Sequence, residues 1–87
     1  MDDNLKKDIM AIIADVTGFD EEEITPDTNF YTELEVDSIK AIEITVAIEK
    51  KFKISVRDED VPGITTVRQA IETVERLIEE KASAEKK

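Results

Sequence analysis

Apolar residues return at helical spacing in three separate stretches of this chain, and that recurrence confines the fold to a few amphipathic helices closing on a shared core. In the first stretch Leu5, Ile9, Ile12, Ile13 and Val16 fall on one helical face. The spacing predicts a helix from Asp3 to Val16, with Gly18 placed to take the left-handed conformation that ends it. Asp3 and Lys7 offer an i,i+4 ion pair on its wet side, worth at most about 0.5 kcal/mol. A second helix is expected from Ser38 to Lys51, with Ile39, Ile42, Val46 and Phe52 on one face and Ile44 and Ile48 widening the stripe. Asp37 is a good N-cap for it, and Lys50, Lys51 and Lys53 complement the negative end of its dipole. The third stretch opens with a capping box, Thr66-Val67-Arg68-Gln69, and sets Val67, Ala70, Ile71, Val74, Leu77 and Ile78 on an inner face.

Between Gly18 and Val36 no helical period persists. Ile24, Phe30, Tyr31, Leu34 and Val36 recur there among polar residues, with Thr25-Pro26-Asp27 as a turn signal. A structureless loop of this length is uncommon in a compact domain, so these apolar residues are expected to pin it to the core, with one short helical turn between Phe30 and Leu34. The run Glu21 to Glu23 reads as solvated surface, because the ligand spacing and glycine of a calcium-binding helix-loop-helix are missing. After Ile54 and Val56, Arg57-Asp58-Glu59-Asp60 reads as one further helical turn, stopped by Pro62-Gly63. The expected fold is all-α: a small irregular four-helix bundle of three long helices and one short, with residues 1–81 as one domain. Residues 82–87 carry no large apolar side chain and are expected to fray as a disordered tail.

Composition narrows the function. With no His and no Cys in 87 residues, the chain can build no Cys/His zinc site, thiol nucleophile, Ser-His-Asp triad or disulfide. Twelve Lys and Arg against 22 Asp and Glu leave a net charge of −10, which disfavours nucleic acid and anionic membranes and makes basic protein surfaces the natural partners. The apolar runs are short, and Met1-Asp2-Asp3-Asn4 lacks a basic region followed by an apolar core. Neither a signal peptide nor a membrane span is expected, and the chain reads as a cytoplasmic monomer.

Of the serines Ser38, Ser55 and Ser83, only Ser38 stands at the start of a strongly amphipathic helix. It lacks a histidine base and a strand-turn-helix elbow, so it is no ready nucleophile. Two readings remain open. Ser38 either helps begin the helix, or its hydroxyl bears an anionic group beside unpaired backbone N–H groups at the positive dipole end, which suits a phosphate. The charge of Asp37 opposes the second unless a cap hydrogen bond or a metal compensates it. Enzymatic use of Glu33 and Glu35 as acid and base is disfavoured, since a bundle this small has little room for a dry pocket.

The segment Leu34-Glu35-Val36-Asp37-Ser38-Ile39, followed by an apolar-periodic helix ending Glu49-Lys50-Lys51-Phe52, resembles the acyl carrier protein family, whose signature is Leu-Gly-x-Asp-Ser-Leu before an acidic helix. The Phe30 region, the Ile64-Thr65-Thr66-Val67 lead into the last helix and the length are also similar to that family. The resemblance implies that Ser38 is esterified by 4'-phosphopantetheine taken from coenzyme A, and that the arm's thiol carries an acyl group as a thioester. The protein would then be a carrier with no catalytic residue and no metal, serving a phosphopantetheinyl transferase and acyl-processing enzymes with basic docking patches. Asp37, Ile39, Glu43, Glu49, Asp58 and Glu59 match positions that the family presents to such patches. Ile42, Val46, Ile64, Ala70 and Ile71 are candidates to line an acyl pocket between the second and last helices, or else belong to the ordinary core. Glu35 departs from the usual Gly and resists positive φ. Ile39 replaces Leu, and Lys40 puts a cation on the recognition face where the family commonly carries an acid. These departures point to a carrier of one dedicated pathway. Fatty-acid or lipid biosynthesis is favoured over an aminoacyl or peptidyl carrier. The alternative from another class is a small acidic protein-interaction module, which needs no modified serine.

Overall fold

The computed structural model describes residues 3–57 and 59–85. Among them are three α-helices, α1 (Asp3–Thr17), α2 (Ser38–Phe52) and α3 (Val67–Glu85), and two 3-10 turns at Glu21–Glu23 and Val61–Gly63. The described residues contain no strand, only an isolated antiparallel bridge between Asn29 and Thr66. Asp58, the side chain of Asp3 with its expected Lys7 pair, and Lys86 and Lys87 lie outside the described residues.

α1 is the spine on which the other two helices pack. Its Leu5, Ile9 and Ile13 are buried against Val67, Ala70, Ile71, Val74 and Leu77 of α3 and Ile44 and Ile48 of α2 in one cluster. The helix ends as its sequence requires: Gly18 has φ 83°, and its amide donates to the Ala14 carbonyl at 2.8 Å.

The long connection after α1 is held as expected by Ile24, Phe30, Leu34 and Val36, all buried, whereas Tyr31 is 43% exposed. Asn29 starts the short turn foreseen there. Its side-chain oxygen accepts from the amides of Tyr31 and Thr32 at 2.9 and 3.1 Å, and the Glu33 carboxylate accepts from the Asn29 amide at 2.8 Å. Thr28 is buried, and its hydroxyl is satisfied by the Thr25 amide and hydroxyl at 2.9 and 3.1 Å. The same loop feeds the start of α3: the amides of Val67 and Arg68 donate to the carbonyls of Thr28 and Pro26 at 3.1 and 2.8 Å. The capping box also forms, with Gln69 N–H on Thr66 Oγ1 at 3.3 Å and Thr66 N–H on Gln69 Oε1 at 3.1 Å.

Three expectations are corrected. Among the described residues no fourth helix stands at positions 57, 59 and 60: the Asp60 amide closes a turn on the Arg57 carbonyl at 2.9 Å, and a single 3-10 turn follows at Val61–Gly63. Pro62 opens this turn and does not stop it, because the first turn of a helix has no use for the N–H that proline lacks. Arg57 and Arg76, paired with Glu80 and Asp60 at 3.5 and 3.2 Å, fasten the segment to α3. α3 itself continues through Ala82, Ser83 and Ala84 to Glu85, so the expected tail begins as helix. Alanine and charged residues with long side chains sustain a helix without an apolar partner.

The third correction concerns which side of α2 faces inward. Ile44 and Ile48 are buried, whereas Ile39, Ile42 and Val46 are 67%, 61% and 39% exposed. α2 carries large apolar residues around most of its circumference, so periodicity gives the helix but not its rotation. The fit against α1 turns the Ala41, Ile44, Thr45 and Ile48 side inward.

Candidate functional site

The site is assembled at the N-terminus of α2. Glu35 adopts φ 54°, the left-handed conformation that glycine takes without cost. The chain then turns inward at Val36, whose amide donates to the Phe30 carbonyl at 2.9 Å. Asp37 leaves the core in extended conformation and caps the helix: its Oδ1 accepts from the Lys40 amide at 2.8 Å, and its carbonyl from the Ala41 amide at 2.9 Å. Ser38 is the first helical residue and is exposed. Its hydroxyl, and the amides of Ser38 and Ile39, bond no protein group among the described residues. The Asp37 carboxylate is thus committed to the cap, and two open amides at the positive dipole end flank a free hydroxyl. That is the compensation an anionic group on Ser38 requires.

Among the described residues no base bonds the Ser38 hydroxyl. The hydroxyl is presented, not primed, so the arrangement suits a point of attachment formed by another enzyme.

The other candidate residues divide. Ile39, exposed, and Glu43, exposed and without a partner among the described residues, lie on the open side of α2 with Ile42 and Val46; the three apolar residues make a stripe along i, i+3 and i+7. Glu59 is exposed nearby in sequence to the 3-10 turn, and Asp58 lies outside the described residues. Lys40 is not a free surface cation. Its Nζ donates to the Val16 carbonyl in the last turn of α1 at 3.0 Å, where a cation also meets the negative end of that helix. Glu49 is likewise occupied, since its Oε2 accepts from the Val56 amide at 2.8 Å. Both were expected on the docking face, and both are half-buried ties between elements.

A cavity of about 40 Å³ lies between α2 and α3. Of the five residues expected to line it, Ile64 and Ala70 do. Ile42 and Val46 do not, because the rotation of α2 turns them to solvent, and Ile71 borders a separate hollow with Lys6 and Pro26. The remaining walls are Phe30, Tyr31, Val36, Ala41, Ile44, Thr45, Ile48, Val56, Val61, Thr73 and Val74. A signal for several of them stood in the sequence: Ala41, Ile44, Thr45 and Ile48 repeat at helical steps, as do Ala70, Thr73 and Val74. Small and polar members made those stripes look weaker than the isoleucine stripe beside them.

No helix among the described residues is long and apolar enough to cross a membrane. The family described as "Phosphopantetheine attachment site" matches residues 7–74. The meromycolate extension acyl carrier protein of Mycobacterium leprae is 38% identical over 76 residues, covering 87% of this chain and 66% of that protein. An acyl carrier protein of Rhodococcus erythropolis is 37% identical over 73 residues, 84% of this chain and 80% of that one. The chain therefore spans just under two thirds of the mycobacterial relative's length. Among solved structures, the apo doublet acyl carrier protein from prodigiosin biosynthesis superposes with a TM-score of 0.72 at 25% identity, over 84% of this chain and 35% of that one.

Proposed function

The chain belongs to the acyl carrier protein family, whose cofactor is phosphopantetheine, and from that premise we propose that Ser38 bears the 4'-phosphopantetheine arm and that the protein ferries acyl groups among enzymes of fatty-acid or lipid biosynthesis. The observation that carries the reading is the free, exposed hydroxyl of Ser38 beside the open amides of Ser38 and Ile39. These amides and the α2 dipole favour an anionic phosphodiester at this atom. When attached, the arm supplies a terminal thiol that holds an acyl group as a thioester, so the protein needs no catalytic residue of its own. Tethering keeps that group at high effective concentration wherever the domain docks.

Docking falls to the open side of α2, where Ile39, Ile42 and Val46 are exposed around Glu43, to Asp37 at its N-terminus, and to Glu59, exposed just before the 3-10 turn. A phosphopantetheinyl transferase or acyl-processing enzyme that offers an apolar cleft rimmed by Lys and Arg would match this stripe. The net charge of −10 would speed the encounter by steering. Lys40 does not set the choice of partner, because its ammonium is engaged with α1. The cavity between α2 and α3 is the shelter for the acyl chain, and the cytoplasm the place of work.

The test is intact mass measurement before and after incubation with coenzyme A, magnesium and a broad-specificity phosphopantetheinyl transferase, with peptide mapping. One phosphopantetheinyl adduct, absent in Ser38→Ala, is expected. A folded protein that takes up no adduct from several transferases would overturn the reading in favour of the acidic interaction module.

A further inference from the structure

We propose that the cavity between α2 and α3 selects acyl chains bearing an oxygen function, hydroxyacyl chains first, over saturated ones, and that Thr45 and Thr73 make the selection. The proposal rests on the carrier reading above and adds the class of cargo.

The two threonines line the same small cavity from opposite helices, and every other lining side chain is apolar apart from Tyr31, which is 43% exposed. Their hydroxyls stand in complementary states. Thr45 Oγ1 donates its proton to the Ala41 carbonyl at 2.8 Å, so towards the cavity it can only accept. Thr73 Oγ1 bonds no protein group among the described residues, neither the carbonyl one turn back nor a neighbour, so its proton is available to donate. The lining thus holds one hydroxyl committed as an acceptor and one, still open to solvent, with a proton free to donate.

A saturated chain entering this space strips the Thr73 hydroxyl of hydration and gives it nothing in return, the unfavourable case for a buried polar group. A ketone accepts from Thr73 and leaves Thr45 with only its own helix bond. A hydroxyl both accepts from Thr73 and donates to Thr45. The expected order of insertion is hydroxyacyl, then oxoacyl, then saturated acyl. Each net hydrogen bond corresponds to about a fivefold gain in the insertion constant. A cavity of about 150 Å³ takes up benzene, so one of about 40 Å³ admits only a chain tip until α2 and α3 part. The 3-oxygen of a six-carbon chain lies towards its thioester end, so selection is made when α2 and α3 have parted enough to seat that carbon beside these hydroxyls.

The experiment loads the holo-protein with hexanoyl, 3-hydroxyhexanoyl and 3-oxohexanoyl chains and reads the rise in Tm of each over the unloaded holo form, from which the insertion constant follows. In the parent protein the 3-hydroxy chain is expected to stabilise most, by about fivefold in that constant over the 3-oxo chain. Thr73→Val, of similar shape, is expected to put the saturated chain ahead of the 3-oxo chain. Thr45→Val is expected to bring the hydroxy chain down to the level of the oxo chain while leaving the oxo chain unchanged. Each variant is compared with its own holo form, so a change in basal stability does not enter. Equal or greater stabilisation by hexanoyl in the parent, or an order that survives Thr73→Val, overturns the inference and leaves the carrier reading standing. Failure to attach the arm at all overturns both.

Discussion

Replacing Glu35 by Gly removes a β-carbon from a residue held at φ 54°, where an L side chain crowds the backbone at a cost of about 1–2 kcal/mol. Glycine's freer unfolded chain takes back about 0.4–1 kcal/mol, so the net gain is about 0.8 kcal/mol. The Glu35 side chain is exposed and makes no hydrogen bond among the described residues, so no contact is lost with it. Charge must be separated from strain, because removing any carboxylate from a chain of net charge −10 relieves self-repulsion. Glu35→Ala is the control: it loses the same charge and keeps the β-carbon. With a urea dependence of about 1 kcal/mol per molar for a domain of this size, the glycine variant's midpoint should lie about 0.8 M above that of the alanine variant. Coincident midpoints, or a lower one for glycine, would refute the assignment of strain to this residue.

Lys40→Met keeps the aliphatic stem but removes the ammonium from the Val16 carbonyl, and should cost about 1–2 kcal/mol in urea unfolding. An unchanged midpoint would mean that the ammonium is solvated. Glu49→Ala strips the Val56 amide of its acceptor and should cost about 1–2 kcal/mol, while Glu49→Gln, which retains an oxygen, should cost less than half of that; equal losses would show that the bond contributes nothing. Ile13→Ala should lose about 2–5 kcal/mol from a site with 0% exposure. Ile39→Ala, at 67% exposure, should stay within about 0.5 kcal/mol in unfolding yet slow loading by the transferase; unaltered loading kinetics would take Ile39 off the docking face.

α1 was legible in the sequence almost to the residue and α3 at its start, because each has one apolar stripe and one marked end, Gly18 for the first and the Thr66–Gln69 box for the second; the last turn of α3, residues 82–85, has no apolar stripe and read as tail. α2 was legible as a helix but not in its rotation. Ile39, Ile42 and Val46 form as good a stripe as Ile44 and Ile48, and only packing on α1 decides between them. The position of Ser38 and the cap by Asp37 follow from local chemistry and were read correctly. The roles of Lys40 and Glu49 were not, since their partners are main-chain atoms, Val16 O and Val56 N, which leave no mark in a residue pattern. Glu35 shows the converse. Its side chain argued against positive φ, yet the buried Leu34 and Val36 on either side hold the backbone there.

The bridge between Asn29 and Thr66 joins two points of the chain with all of α2 between them. Together with the bonds from Phe30 to Thr65 and from Val67 to Thr28, it closes a ring of backbone whose far side is the serine-bearing helix. Closing such a ring costs chain entropy that rises only with the logarithm of its length, and the return comes when the loop carbonyls meet the first amides of α3. Among the described residues those amides have no other acceptor, so the opening turn of α3 and the loop before α2 form and melt as one cooperative unit. In hydrogen exchange the amides of Phe30, Val67 and Arg68 should open together, while the middle of α1, whose bonds are local, opens independently of the ring. Because α2 is spliced into the ring and not hung from an end, it can shift against α3 as a rigid rod while both of its attachments stay closed.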